Sequence, residues 1–266
     1  MIKPRGAPSA KLNDNRSDEV AQVVVITGAS GGIGAALAER LASEGHSVVL
    51  VARRADALAS VAARCGGRAY PLVADCTRRH EVRRAAAEAV ATLGHVDVWV
   101  NNVGRGMTRQ PSELTGTDID DMMLVNVKSA LYGMQEILPH FKARGRGHVV
   151  NISSMLGRIP FAAMRAAYSG AKHFLNSITS NMRTEIQQTH PDIEFSLVSP
   201  GVVRTDFGKN AVHGGPDSRE LPDSQSAEDV AAVIAGVIRS RKPDVYTREG
   251  SQARVGAHYA AIGVDP

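Results

Sequence analysis

The sequence predicts a doubly wound α/β domain, a parallel sheet of about seven strands with helices on both faces. Short apolar runs rich in β-branched residues alternate with apolar positions at helical spacing along most of the chain, the pattern of a sheet buried on both sides. The stretch VVVITGASGGIGAALAERL at 23–41 passes from such a run through glycines into a helical pattern. Every main strand candidate ends in small, polar or charged residues, where a sheet of this kind places its ligands.

Strand 22–27 stops at Thr27-Gly28, and Ile33, Ala36, Leu37, Ala38 and Leu41 mark helix 32–44. Gly28, Gly32 and Gly34 put no side chain between the turn and a ligand, so N–H groups at the helix N-terminus can meet an anionic pyrophosphate. Ser30, Gly31 and Ile33 belong to the same turn. It has no Gly-Lys-Ser/Thr ending, which disfavours a nucleoside triphosphate. Strand 47–52 leads through Ala52, Arg53 and Arg54 into helix 55–64. An acidic residue at 52 would accept hydrogen bonds from a ribose diol and repel a 2′-phosphate. Two arginines there can neutralise that phosphate instead, and a helix N-terminus is otherwise a poor place for cations. NADP(H) is therefore the preferred cofactor, with NAD(H) the second candidate.

Strand 68–74 ends in Asp75-Cys76 before helix 78–93, and strand 96–101 ends in Asn101-Asn102-Val103-Gly104 before helix 118–142. Strand 147–153 ends in Ser153-Ser154 before helix 165–188, and strand 193–199 ends in Ser199-Pro200-Gly201. Residues 205–226 show neither period and carry glycines, prolines and mixed charge, the composition of a lid over a substrate. Helix 227–239 and a short strand near Val245 follow. One domain at 20–247 accounts for this order, with a flexible polar tail at 1–19 and a charged tail at 248–266.

Tyr168 and Lys172 stand four apart near the start of a helix, so both project from one face. A phenol works as an acid or base near neutrality only when a cation stabilises its anion. Lys172 can supply that charge and hold a ribose hydroxyl, and Ser154 can donate to a substrate oxygen as it gains charge. His173 turns to another helix face and is expected in packing.

Composition narrows the partners. Lys and Arg number 31 against 27 Asp and Glu, a net charge of +4 that is too small and scattered to indicate nucleic acid. No run is apolar for long enough to span a bilayer. The N-terminal residues have no apolar centre, so no secretory signal is expected. Cys65 and Cys76 match no metal spacing and are expected as reduced thiols in the cytoplasm.

Together these residues resemble the classical short-chain dehydrogenase/reductase family, over roughly 20–246. TGASGGIG at 27–34 is similar to the family's coenzyme turn and NNVG at 101–104 to its Asn-Asn-Ala-Gly, with Val103 for alanine. Asp75 and neighbouring Cys76 occupy the place of the family's adenine contact. Asn126 resembles the helix asparagine whose kinked backbone holds a relay water. Ser154, Tyr168 and Lys172 resemble the catalytic serine, tyrosine and lysine. SPGVVRT at 199–205, with Pro200, Gly201, Val203 and Thr205, resembles the segment beside the nicotinamide. The fourteen residues from Ser154 to Tyr168 are one more than the family's spacing, which implies an extra loop residue.

The resemblance implies a Rossmann-type fold and hydride transfer between a nicotinamide and a small or medium apolar ketone, aldehyde or secondary alcohol. Met155, Leu156, Phe161, Val202 and Phe207 are the candidate apolar lining. It further implies a homodimer or homotetramer through helices 118–142 and 165–188, which carry Met122, Val125, Leu131 and Met134, and Phe174, Ile178 and Met182. A catalytically silent NADP(H)-binding regulator is the alternative, and retention of Ser154, Tyr168, Lys172 and Asn126 argues against it. A sugar-nucleotide epimerase would need a larger C-terminal region.

Overall fold

In a computed structural model, which describes residues 21–263, seven strands form one parallel sheet. They are β1 (Val23–Thr27), β2 (Ser47–Ala52), β3 (Ala69–Val73), β4 (Val98–Asn101), β5 (Gly147–Ile152), β6 (Ile193–Ser199) and β7 (Asp244–Tyr246). Their order is β3-β2-β1-β4-β5-β6-β7. The chain thus starts at the middle, builds outward through β2 and β3, and returns to lay β4 on the other side of β1. The tail expected at 1–19 lies outside the described residues.

Burial explains the apolar runs. All five residues of β1 and all six of β5 are buried, because helices cover both faces. On one face α1 (Gly32–Ser43) and α7 (Ala227–Ser240) bring Leu37, Leu41, Val230 and Ile234 onto Val24, Ile26, Leu50 and Val100. On the other, α3 (Arg79–Leu93) and α5 (Ser129–Arg144) set Val82, Met134, Ile137 and Phe141 against Trp99, Val149 and Phe195. Helix α2 (Ala55–Arg64) and the long α6 (Ala166–Gln187) complete the layers.

Two elements differ from the sequence expectation. The helix expected at 118–142 starts earlier, as α4 (Gly116–Met123), because Thr115 caps it. Thr115 accepts from Asp118 N, and Asp118 answers Thr115 N, a reciprocal cap. That helix then widens into a π turn at Leu124–Lys128 before α5. Residues expected as a C-terminal tail form α8 (Ser251–Ile262), which holds the β5–α6 loop through Tyr259 Oη donating to Arg158 O at 2.7 Å. Met122 and Met134 lie inside this chain's own core, so they are not the subunit-facing residues the sequence suggested. Phe174 of α6 and Ile119 of α4 are the exposed ones.

A polar chain crosses the core beneath the strand ends. Trp99 Nε1 donates to Asn101 Oδ1, Asn101 Nδ2 to Asn151 Oδ1 and Asn151 Nδ2 to Thr179 Oγ1, each at 2.8 Å. Gly133 lets α5 lie against it: a Cβ there would collide with Asn101 Oδ1 and stand 2.5 Å from Trp99 Nε1. Gly133→Ala is expected to destabilise the fold even though alanine favours a helix by about 1 kcal/mol, since overpacking costs about 1–3 kcal/mol. A thermal melt should show a midpoint lowered by a few degrees, and an unchanged or raised midpoint would contradict the close approach.

Candidate active site

Strands β1 and β4 part company at the point where the sheet's winding reverses, and this opens a crevice beyond their C-terminal ends. Thr27 Oγ1 donates to Val100 O at 3.2 Å and accepts from Asn102 N at 3.0 Å. Asn102 Nδ2 donates to the carbonyls of Thr27 and Gly28, both at 3.2 Å. The glycine turn is thereby stapled to β4. Gly28 and Gly32 have φ of 68° and 54°, left-handed values that suit glycine. A Cβ on Gly34 would stand 2.5 Å from Gly28 O, so this glycine is required by packing.

The amides that open α1 meet no capping side chain and no acidic residue in the first turn. They present the positive end of a helix beside Gly31, Gly32 and Ile33. Arg54 Nη2 reaches over the turn to Ser30 Oγ at 3.1 Å and Ser30 O at 3.3 Å. Arg53 lies on the other side, where its charge acts on Asp75 and Cys76. Burial opposes ionisation of Asp75, but Thr77 donates to it through its backbone N–H at 3.0 Å and its hydroxyl at 2.7 Å. With Arg53 and Arg78 nearby, its carboxyl falls below the usual range. Burial pushes the Cys76 thiol up to about 12, helped by the charges of Asp75 and Glu81, so it is a neutral packing group. The Thr205 methyl lies 3.1 Å from where a Cβ of Gly32 would be. These features fit a dinucleotide: bare amides for a pyrophosphate, guanidinium groups for a phosphate, and an acidic group at the end of β3.

Beyond β4 and β5, the side chains expected to do chemistry converge. Tyr168 and Lys172 stand one turn apart on α6, both buried. Lys172 Nζ donates to Ile152 O at 2.9 Å and lies 5.8 Å from the Tyr168 ring centre. Ser154 accepts from Leu156 N at 3.1 Å, capping a 3-10 turn at Met155–Gly157, and its hydroxyl is near enough to Tyr168 to favour the phenolate. Ser153 is instead bound to Asn176. This turn and a second at Ala163–Arg165 take up the fourteen-residue spacing.

Asn126, fully buried in the π turn, pins the neighbouring loop. Its Oδ1 accepts from Arg105 N and its Nδ2 donates to Arg105 O, both at 3.0 Å. A Cβ on Gly104 would lie 3.1 Å from Asn126 Oδ1 and 3.6 Å from Lys172 Nζ, so glycine keeps the three together. Val103 packs beside the core, Pro200 O accepts from Met155 N at 2.8 Å, and Val203 pairs with Gln225. Gly201 lies under Arg248, whose Nε would be 3.1 Å from a Cβ there.

Burial governs the titrating pair. It pushes the Tyr168 phenol up to about 12, against the nearby Ser154 hydroxyl and the charge of Arg165. It pushes Lys172 down to about 8. The sequence expectation that Lys172 supplies the charge that lowers the phenol's pKa is not seen here: desolvation dominates, and the influences that oppose it come from Ser154 and Arg165.

Residues 205–226 form a loop without helix, closed over this cluster. Phe207 meets the Tyr168 ring edge-on, with centres 5.5 Å apart, while Leu156 packs with Tyr168 in the same apolar group. Met155 is buried, and Phe161 and Val202 are exposed. Asp118 anchors the loop, a role the sequence reading missed although the Thr-x-x-Asp cap was visible at 115–118. It accepts from Arg109 Nη1 at 2.7 Å, Thr115 N at 2.9 Å, Thr115 Oγ1 at 2.8 Å and His213 Nε2 at 3.0 Å. Those bonds, Thr115's backbone first, hold its carboxyl far below the usual range. Asn176 and Arg165 were also missed, and no motif flags either. Among the described residues no cluster of His, Cys, Asp or Glu could hold a metal ion, and no helix is long and apolar enough to cross a membrane.

The family model for short chain dehydrogenase matches residues 22–214. An uncharacterized oxidoreductase of Staphylococcus haemolyticus is 34% identical over 195 residues, 73% of this chain and 83% of that protein. A short chain dehydrogenase/reductase from Burkholderia phymatum, solved with NAD, superposes with a TM-score of 0.83 at 24% identity, over 92% of this chain and 97% of its own. An alcohol dehydrogenase from Thermococcus sibiricus, solved with 5-hydroxy-NADP, gives 0.74 at 24% identity, over 85% and 95%.

The Asp118 anchor predicts where the loop opens. In Asp118→Asn, trypsin is expected to cut at Lys209 or Arg219 several-fold faster than in the wild type at pH 7. Because the folded carboxyl is more acidic than an unfolded one, its contribution is complete above the usual carboxylate range and is lost as pH falls below it. Wild-type cleavage, followed with an acid-active protease, should accordingly rise below about pH 4. Equal rates in the two proteins at pH 7 would show that Asp118 does not hold the loop.

Proposed function

The chain belongs to the short-chain dehydrogenase family, an oxidoreductase acting on CH–OH or C=O groups, and on that premise we propose an NADP(H)-dependent enzyme in which Tyr168 is the acid and base. The observation that carries the proposal is the convergence of the half-buried Ser154 with the buried Tyr168, Lys172 and Asn126, near Gly104 and the switch point of the sheet. A nicotinamide bound there supplies or accepts the hydride.

The chain's own groups handle the oxygen and its proton. In reduction Tyr168 Oη delivers a proton to the carbonyl oxygen, and in oxidation it removes the proton of the alcohol. Ser154 donates to the same oxygen and steadies the charge that develops on it. Lys172, held by Ile152 O, stabilises the phenolate left on Tyr168. Asn126 fixes the loop that carries Gly104, so that the crevice keeps its shape through turnover. The Phe207 contact excludes water from the phenol. A ketone, an aldehyde or a secondary alcohol meets these demands.

Arg54, extended over Ser30, and Arg53, beside Asp75, support the 2′-phosphate reading. Removing a charge-assisted contact costs about 1.5–3 kcal/mol, so Arg54→Ala or Arg53→Ala is expected to weaken NADPH about 10- to 100-fold and to leave NADH nearly unaffected. Calorimetric titration of both coenzymes decides this, and equal losses for both would remove the arginines from phosphate recognition. Exposed Phe174 and Ile119 support self-association into a dimer or tetramer.

Tyr168→Phe should retain coenzyme affinity within about twofold while its turnover falls by two or more orders of magnitude. Wild-type alcohol oxidation is expected to rise steadily from pH 6 to pH 9, since the base form of a phenol titrating near 12 keeps growing across that range. A plateau reached by pH 7.5 would point to a histidine base instead.

A further inference from the structure

We propose that Arg165 and Thr108 form an anion subsite beside Tyr168, so that the substrate carries a carboxylate as well as the reacting carbonyl or alcohol; this rests on the oxidoreductase reading above. Arg165 stands at the N-terminal boundary of α6, a 22-residue helix, three residues before Tyr168. A cation is unfavourable at that end of a helix, where the dipole calls for negative charge. Its side chain is partly buried, and burial makes the guanidinium less basic. Three other partly buried arginines hold carboxylates, Arg109 with Asp118, Arg144 with Asp97 and Arg158 with Asp244, while Arg183 is satisfied by the carbonyls of Phe195 and Pro243. Arg165 has no carboxylate partner among the described residues, and its hydrogen bond goes to Met107 O at a long 3.3 Å.

An independent observation points to the same spot. Thr108 Oγ1 is buried without a hydrogen-bond partner, a condition that costs free energy unless something binds it. The two groups meet at Gly215 of the lid, where a Cβ would stand 2.8 Å from Arg165 Nη2 and 3.3 Å from Thr108 Oγ1. On the other side, a Cβ on Gly106 would lie 2.9 Å from Arg165 Nη1, 3.1 Å from the Phe207 ring and 3.4 Å from Ala211. The backbone at both glycines thus comes close against the guanidinium, so that any side chain there would collide with it, and Gly208 O lies 2.6 Å from the same Gly215 position. One fork of N–H donors plus one hydroxyl suits the two oxygens of a carboxylate. Its charge also reaches Tyr168, which places the subsite within one small molecule's reach of the reacting oxygen.

The substrate class is therefore an oxo acid or its hydroxy acid. In reduction a hydride from NAD(P)H adds to the carbonyl carbon and a proton from Tyr168 to its oxygen. The carboxylate stays on Arg165 throughout, unchanged in charge.

The test compares pyruvate, acetoacetate and levulinate with their methyl esters, using NADPH and NADH, on wild type, Arg165→Lys and Arg165→Met. Calorimetric coenzyme affinity is measured for each protein. At least one acid should surpass its ester in kcat/KM by about 10- to 100-fold in the wild type. The ratio should fall to about one in Arg165→Met and lie between in Arg165→Lys, with coenzyme affinity unchanged. An ester turned over as well as its acid by the wild type, at a ratio Arg165→Met leaves alone, overturns the subsite. So does a wild type that binds coenzyme and turns over none of the three acids. A wild type that binds neither coenzyme overturns the oxidoreductase reading itself.

Discussion

The site depends on the stitch between β1 and β4. At the switch point two adjacent parallel strands hand their chains to opposite faces of the sheet, and the backbone groups at their ends lose regular partners. Buried, those groups would each cost about 1–3 kcal/mol. Thr27 and Asn102 satisfy them together, one hydroxyl and one carboxamide serving Val100 O, Asn102 N, Thr27 O and Gly28 O. The same bonds position the glycine turn. Once Gly28 is fixed, Gly34 must pass within contact of its carbonyl and α1 can leave in only one direction. Below the stitch, the chain from Trp99 to Thr179 ties β4, β5 and α6 into one frame, so Tyr168 and Lys172 are placed relative to the turn by polar bonds as well as by packing.

Desolvation then sets the chemistry of that frame. Lys172 loses basicity and Tyr168 loses acidity for the same reason, removal from water, and each loss disfavours a charged form. The protein answers at separate points. Ile152 O accepts from the ammonium, the Ser154 hydroxyl lies near the phenol, and Arg165 contributes its charge from the end of the helix. No one of these cancels the burial cost, and the phenol still titrates near 12. On the proposed reading, a buried acid this weak would deliver its proton only to an oxygen that is itself gaining charge, which would tie proton transfer to the reduction of a carbonyl.

The fold was legible because its signals are local. Strand runs, strand-ending residues and the glycine turn are set by neighbours in sequence, and Tyr168 and Lys172 by helical spacing. Their convergence with Ser154 followed from the motif order. What stayed hidden is tertiary. The π turn at Leu124–Lys128 keeps a helical apolar pattern and shows itself only in how Asn126 meets Arg105. Helix α8 has a weakly amphipathic sequence with a glycine in it, which looked like a tail until Tyr259 met Arg158 O and Arg254 the Phe161 ring in the β5–α6 loop. Arg165 read as an ordinary helix-start residue, since nothing in a one-dimensional pattern reveals that a cation lacks a counter-charge.

The lid joins these arguments. Its sequence has no period, so its conformation rests on ion pairs within it, Lys209 with Asp217 and Arg219 with Asp206, and on outside contacts: Asp118 at His213 and backbone bonds from Val212 N to Gly106 O and from Thr108 N to Val212 O, both at 2.9 Å. Those backbone bonds flank Met107 and Thr108, the stretch that also faces Arg165. In this position the lid sets Gly215 against Arg165 and Phe207 against Tyr168. An anion held by the guanidinium would relieve the unfavourable charge at the α6 N-terminus, and it could do so fully only with the lid down, where water is excluded and the attraction strongest. On the proposed reading, binding at one end of the substrate would be coupled to dehydration of the phenol at the other.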